Sequence, residues 1–418
     1  MNIRPTAGFA RMILIGLIGN VMEWYDFAVY GFFATVIGKL FFPADNPAIS
    51  LVASFGAFAA GFLVRPLGGL LFGRIGDRMG RQRAMLVSIL SMAVPTVMMG
   101  FLPTYATAGF LAPILIVTLR MVQGLSVGGE FTSSLVYLAE QAPPQRRALL
   151  AIWGNWGASA GILVGSGVGW AVNAILDDGQ ILAWGWRVPF WLGGLVALAG
   201  WWIRHGLHNE LPLYATESPV RAVFTTYRRD VLRVALLNFG SGVAFYTAFV
   251  YAVSYIRRID HLSESLALEV NTKAMLLLLV MLPLSAWLSD RFGRRPLLLG
   301  AYGGLFVGAV PLFHLIHSHH EPLILLGEFG FAVILGLMTG GIVAANVELM
   351  PRAIRCTGLA FAYNASIGLF GGVTPMVAAW LIMVTANPVA PAYWVMGAAA
   401  ISLLTLILSV PETRHLEI

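Results

Sequence analysis

The chain has a single cysteine, Cys356, so no intrachain disulfide can form and no cysteine-based metal cluster can be assembled. Charge is also scarce: Asp, Glu, Lys and Arg make up 11% of the residues, against about 25% in a soluble domain. With 58% hydrophobic residues and a mean hydropathy of +0.79, the composition excludes a water-soluble globular protein. No contiguous basic block accompanies the net charge of +6, because the arginines are spread through short loops, and this excludes nucleic-acid binding. No nucleophile with an adjacent base occurs inside an apolar run, which argues against an intramembrane enzyme. The longest polar stretch, about 205–229, is too short for the output domain of a membrane sensor.

What is present is a succession of twelve apolar runs, each close to the roughly 20 residues that cross a bilayer as a helix. The first run has no early small-residue cleavage site and is read as a retained helix. Most of the 26 basic residues fall in alternate loops: Arg4 and Arg11 before the first run, Arg74 to Arg83 after the second, Arg146 and Arg147 after the fourth. The same side takes Arg204 to Arg233 in the centre, Arg291 to Arg295, Arg352 and Arg355, and Arg414. Positive loops face the cytoplasm, so both termini are expected inside. The expected architecture is an all-α membrane protein with two six-helix bundles, 1–203 and 231–418, joined by a cytoplasmic linker at 204–230.

The two halves repeat one another. Asp77-Arg78-x-Gly80-Arg81 returns as Asp290-Arg291-x-Gly293-Arg294, 213 positions later. A second echo sets Glu140, Pro143 and Arg147 against Glu348, Pro351 and Arg355, with identical internal spacing. Parallel repeats of this kind mark transporters that rock one half against the other. Asp77, Arg78, Arg81, Asp290, Arg291 and Arg294 are therefore candidates for a cytoplasmic gate. Glu140, Arg147, Glu348 and Arg355 are candidates for the charges that close it, with Glu140 and Glu348 pairing to the arginines of the repeated motif.

The costly residues lie inside the runs. Asn20, Glu23, Asp26 and Tyr30 recur every three or four residues in the first run and so share one helical face. A charge at mid-bilayer costs about 2.5–3.5 kcal/mol on insertion scales, so this face must meet protein or a water-filled cavity. Arg120 and Gln123 in the fourth run, with Arg65 in the second, supply the opposite charge and hydrogen bonds. The carboxylate pair of the first run is the expected partner of Arg120, and Glu130 is a further candidate for the proton. Gly124 and Gly128 leave a small-residue face for close helix approach. Trp153 and Trp156 in the fifth run, Asn238, Tyr246 and Tyr251 in the seventh, and Asn364 in the eleventh are candidate substrate contacts. His314, His317, His319 and His320 beside Glu321 look metal-like. They fall in an outer loop without cysteine, so no metal is expected.

GNVMEWYDFAVYG, GFLVRPLGG, RMVQGLSVGGE, YLAEQ and WGWRVPFWLGG occur in this order along the chain. Together they resemble the metabolite:proton symporter family of the major facilitator superfamily, over nearly the whole length. The resemblance implies a multi-pass protein of the bacterial inner membrane, working as a monomer on a small molecule and protons, with the proton gradient in place of any cofactor. It implies that Glu23, Asp26 and Arg120 form the coupling site and that Asp77, Arg78 and Arg81 gate the cytoplasmic side. Gln82 departs from the family, which often has a basic residue there. VELMPRAIRCTG and LFGGVTPMVAAWLI look most like the citrate members, so the first expectation is uptake of a di- or tricarboxylate. The chain stops soon after Pro411, before the long coiled-coil tail of osmosensing relatives, which placed proline or betaine uptake second. Proton-coupled efflux of a metabolite, siderophore or drug is third.

Overall fold

A computed structural model describes residues 7–45, 47–205, 218–260 and 262–416. Residues 206–217 of the expected linker lie outside the described residues, as does Arg4. The described chain is almost wholly helical, as the apolar runs demand: in lipid every backbone polar group must be satisfied within its own segment.

The long helices are α1 (Ala7–Phe32), α2 (Pro47–Met79), α3 (Arg81–Met99), α4 (Leu111–Gln141), α5 (Arg147–Ile175) and α6 (Val188–His205). Next comes α7, which runs Arg228–Phe245, passes through a π-helical stretch Tyr246–Tyr251 and ends as Ala252–Arg258. It is followed by α8 (Glu264–Phe292), α9 (Arg294–Ile316) and α10 (Glu321–Leu349). Helix α11 is Arg355–Tyr363, a second π-helical stretch Asn364–Gly371, and Gly372–Thr385; α12 is Ala390–Ser409. Among the described residues eleven of these helices are long and apolar enough to span a bilayer. The shorter α6 packs along α1 and α3 and brings the long helices to twelve. Helix α1 ends at Phe32, and a short helix, Ala34–Phe41, follows.

The chain forms two compact units, Met1–Leu138 with Trp153–Val220, and Ala139–Ile152 with Arg221–Ile418. The last turn of α4 and the first turns of α5 thus belong to the second unit.

Within the first unit, glycine sets how closely helices meet. A Cβ on Gly124 would collide with the backbone of Gly61, and one on Gly128 with the backbone of Arg65 and Gly69. The small-residue face of α4 therefore presses directly on α2, and the same crossing carries Arg65 and Arg120. On α5, Gly157, Gly161 and Gly165 bear on the carbonyls of Leu17, Val21 and Tyr25 of α1. Both series advance four residues at a time, so one ridge lies in one groove. Helix α5 thus packs on the side of α1 away from its acidic face.

The repeated motif is a one-residue break between helices. Gly80 (φ 97°, ψ 151°) separates α2 from α3, and Gly293 (φ 106°, ψ 162°) separates α8 from α9. Only glycine adopts this region readily. Each break turns the following arginine back onto the preceding helix. Arg81 Nη1 donates to the Gly76 carbonyl at 2.7 Å and lies 3.4 Å from Asp77. Arg294 Nη1 donates to the Ser289 carbonyl at 3.0 Å and lies 2.9 Å from Asp290.

Candidate functional site

The first unit gathers the acidic face of α1 and the cations of α2 and α4 into one buried cluster. Asp26 is fully buried and receives three donors. Arg120 Nη1 donates to Oδ2 at 2.7 Å; Gln123 Nε2 and the Thr96 hydroxyl donate to Oδ1 at 3.0 and 2.9 Å. Gln123 Nε2 also donates to Thr96 Oγ1 at 2.8 Å. Below the guanidinium of Arg120 the ring of Tyr30 lies 3.7 Å away, and the Tyr30 hydroxyl is tied to the Ser54 carbonyl at 3.0 Å. The Nε and Nη2 of Arg120 are buried and make no hydrogen bond among the described residues. These two atoms form the side-on edge of a guanidinium, the geometry that takes a carboxylate with two parallel hydrogen bonds.

Glu23 is partnered differently. The sequence led us to expect that both carboxylates of α1 would serve Arg120, but Glu23 faces Arg65, with Nη2 at 3.4 Å from Oε1. Its Oε2 makes no hydrogen bond among the described residues. Three aromatic rings surround Arg65: Phe62 at 4.6 Å, Phe27 at 5.2 Å and Trp24 at 5.9 Å. These contacts stabilise a desolvated cation by about 0.5–2 kcal/mol each, so the aromatic residues of α1 and α2 hold Arg65 in place. Glu130, two residues beyond Gly128 on α4, is buried and accepts a hydrogen bond from the Ser88 hydroxyl of α3; its charge acts on Glu23. Asn20 closes the end of the row nearer the start of α1, donating to Ser134 at 2.9 Å and to the Gly16 carbonyl at 2.6 Å. The rings of Trp153 and Trp156 lie 5.6 Å apart, tilted at 57°, and both residues are half-buried.

The cluster therefore contains three carboxyl groups, Glu23, Asp26 and Glu130, and two guanidinium groups, Arg65 and Arg120. With every group ionised it would carry one uncompensated negative charge.

The second unit repeats part of this scheme. Asn238 of α7 and Asn346 of α10 exchange amide hydrogen bonds at 2.8 and 3.1 Å, as Asn20 of α1 bonds Ser134 of α4. Asn238 is thereby committed to a helix contact. Tyr246 and Tyr251 lie at the two ends of the π-helical stretch of α7, and Asn364 opens that of α11. Stretches of this kind recur at functional sites, and no local residue pattern signals them. Glu328 of α10 is buried, and neither of its carboxyl oxygens is hydrogen-bonded among the described residues.

At the end of the second unit where α8 meets α9, a dense ion-pair network assembles. Glu348 receives Arg294 Nε at 3.2 Å and Nη2 at 3.0 Å, the Thr413 hydroxyl at 2.6 Å, and Arg147 at 3.5 Å. Asp290 accepts from the backbone N–H groups of Ala148 and Leu149 at 3.1 and 2.9 Å, where the first turn of α5 presents its unpaired donors. Glu140 binds Arg355 at 2.9 Å. The expected pairing to the repeated motif thus holds for Glu348, whereas Glu140 takes the partner seven residues beyond its own counterpart. Arg78 and Arg291 are exposed and stand outside this network; Arg291 lies over the rings of Trp287 and Phe292. Glu412, outside the membrane spans, accepts from the backbone N–H groups of Arg294, Arg295 and Arg414 at 2.9, 3.0 and 2.9 Å. Partial burial opposes its ionisation, but those three donors and the Arg294 charge outweigh it and hold the carboxyl below its ordinary range.

The histidines at the opposite end of α9 are not merely solvated. His317 Nδ1 lies 2.5 Å from Oδ1 of Asp260, a buried carboxylate just past α7, and His319 Nε2 lies 3.9 Å from the same oxygen. Glu321, the acid noted beside these histidines in the sequence, is not in this group.

Comparison with known proteins accords with this architecture. Residues 7–374 match the family model described as Major Facilitator Superfamily. The chain is 37% identical over 412 residues to the proline/betaine transporter of Escherichia coli K12, covering 94% of this chain and 82% of that protein. It is 34% identical over 412 residues to the citrate-proton symporter of Klebsiella pneumoniae, covering 97% and 93%. The fold is similar to the proton:xylose symporter XylE bound to 6-bromo-6-deoxy-D-glucose, with a TM-score of 0.80 at 18% identity over 97% of this chain and 96% of that one. The helical repeat, the buried charges and the family match meet in one statement: the chain belongs to the Major Facilitator Superfamily and is a multi-pass membrane transporter, not an enzyme.

Proposed function

We propose that this protein is a proton-coupled symporter that brings a small zwitterionic osmolyte of the proline or betaine class into a bacterial cell. The observation that carries the reading is the charge count of the buried cluster, three carboxyls to two guanidiniums. One proton makes the cluster neutral. A zwitterion adds no net charge, so the loaded and protonated cluster stays neutral and can be closed off from water. A tricarboxylate would leave it strongly negative even with a proton aboard, at a cost of about 2.5–3.5 kcal/mol for each uncompensated charge. Relatives named as proline/betaine transporters, at 37% identity, support the same choice over the organic acid favoured by the sequence phrases.

The carboxylate of the substrate docks on the Nε and Nη2 edge of Arg120, while Nη1 remains on Asp26. Asp26 is fully partnered, so it serves as the fixed counter-charge. Glu23, with one long contact to Arg65 and an unbonded oxygen, takes the transported proton. Protonation loosens Glu23 from Arg65 and removes the excess negative charge, and this couples loading to closure. Rocking of the two halves then delivers the substrate. The network of Asp290, Arg294, Glu348, Arg147, Glu140 and Arg355 supplies the cytoplasmic gating charges of the second unit, and Asp77 with Arg81 those of the first; both termini lie on the cytoplasmic side, and the monomer is the working unit.

Uptake into proteoliposomes tests this. An inward proton gradient should drive accumulation of labelled proline or glycine betaine and not of citrate. Accumulation of citrate with no uptake of either zwitterion overturns the substrate assignment.

A further inference from the structure

A second charged cluster, at the far end of the second unit from the Glu348 network, takes no part in this scheme. Asp260 follows α7, His317 caps the end of α9, and His319 stands two residues further on. One ligand-type atom from each lies within 4.8 Å of the others. The Asp260 carboxylate is buried, whereas His317 and His319 are partly open to solvent, so the group is reachable from outside.

Two features prepare these side chains for a cation. His319 adopts a left-handed backbone (φ 61°), which is uncommon for a residue with a side chain and folds the chain back on itself. Its Nδ1 lies 2.9 Å from the His317 carbonyl, an acceptor only, so Nδ1 must carry the proton. In the neutral ring Nε2 therefore holds a lone pair, and it points at Asp260 Oδ1 from 3.9 Å. A lone pair facing a carboxylate oxygen is repulsive unless a proton or a metal cation lies between them. His317 approaches that same oxygen through Nδ1. Two imidazole nitrogens thus converge on one buried carboxylate, and a hydrogen-bonded carbonyl fixes one tautomer in the way that orients metal-bound histidines.

We infer that Asp260, His317 and His319 form a binding site for a divalent transition-metal ion, zinc being the best match to a donor set of two imidazoles and one carboxylate. Zinc bonds of about 2.0–2.2 Å to nitrogen and oxygen require only a local adjustment of these side chains. Three protein ligands leave a fourth position for water, so the ion is exchangeable. Because Asp260 and the histidines come from the ends of different helices, the bound ion ties α7 to α9 on this face.

The test uses the full chain without a histidine tag, in detergent or nanodiscs, with zinc titrated against a chromophoric chelator. The wild type should bind one zinc ion per chain, and its thermal transition should rise with zinc. His319→Ala, at a half-exposed position that leaves folding intact, and His317→Ala should each weaken binding by at least about tenfold and abolish the thermal shift. His314→Ala is the control: that ring is exposed, is bonded to the Val310 carbonyl and lies outside the cluster, so it should bind as wild type. Absence of zinc binding in the wild type, or binding that His319→Ala and Asp260→Asn leave unchanged, overturns the assignment.

Discussion

Removing one or the other carboxylate of α1 should have unequal consequences, and the structure gives the sizes. Asp26→Asn takes away the anion that holds Arg120 at 2.7 Å while leaving the guanidinium buried. Stripping one partner from a buried pair costs about 3–5 kcal/mol, because the other charge is left uncompensated. The amide oxygen can keep Gln123 Nε2 and the Thr96 hydroxyl, which donate to Oδ1, but its NH2 then faces the Arg120 donor that Oδ2 accepts. Glu23→Gln instead removes one of three negative charges from a cluster with two positive ones. It sacrifices a single 3.4 Å contact, and Arg65 keeps its three aromatic neighbours. The expected change is therefore below about 1.5 kcal/mol, the scale of one ordinary hydrogen bond. Cys356 makes the measurement direct: it is the one cysteine and is fully buried, so a thiol-reactive fluorophore reports unfolding of the purified protein. Asp26→Asn should melt several degrees below wild type and Glu23→Gln within a degree or two of it. In transport, Glu23→Gln should lose concentrative uptake and retain substrate exchange. Equal destabilisation by the two substitutions, or proton-driven uptake that survives Glu23→Gln, would refute the division of labour.

Other substitutions probe the scaffold. Gly124→Val forces apart the backbones of α2 and α4, where no flexible side chain can yield, and should cost at least about 1–3 kcal/mol and all uptake; wild-type stability in the same thiol assay would contradict the close crossing. Glu348→Gln leaves Arg294 and Arg147 without their shared anion and should destabilise the protein by about 3–5 kcal/mol, read as a lowered midpoint. Glu412 has a depressed pKa in the folded protein, so its stabilisation is complete above the unfolded value of about 4.3 and is lost as pH falls through the lower folded value. Glu412→Gln should therefore flatten the acid limb of a melting-point-against-pH curve, and an unchanged limb would show that Glu412 does not set it.

The parts legible in the sequence are those governed by local periodicity or exact repetition. The spacing of Asn20, Glu23, Asp26 and Tyr30 fixes a common helical face, and the burial of all four follows from the cost of turning it to lipid. The Asp-Arg-x-Gly-Arg repeat foretold two matching breaks, although not that each break is a single glycine. Pairings across helices were harder. Thr96 meets Asp26 across 70 residues and Ser88 meets Glu130 across 42, and neither residue looks chemical in its own apolar run. The exclusive pairing of Glu23 with Arg65 depends on where glycine contacts set the crossing of α2 and α4, which no spacing within one helix reveals. The π-helical stretches arise from one extra residue per turn and leave the hydrophobic pattern almost unaltered. The grouping of the histidines with Asp260 is not legible in the sequence, because that acid lies 57 residues from His317 in another element.

The central claim is that a protonated, neutralised cluster carries a zwitterion, so each cycle should move one positive charge inward with each substrate molecule. Current recorded from reconstituted protein on a solid-supported membrane, after a jump in glycine betaine at constant pH, measures that charge directly. The account predicts an inward positive current in the wild type, reversed by an opposing proton gradient and absent in Glu23→Gln. Electroneutral uptake of betaine by the wild type, or an undiminished current in Glu23→Gln, would contradict it.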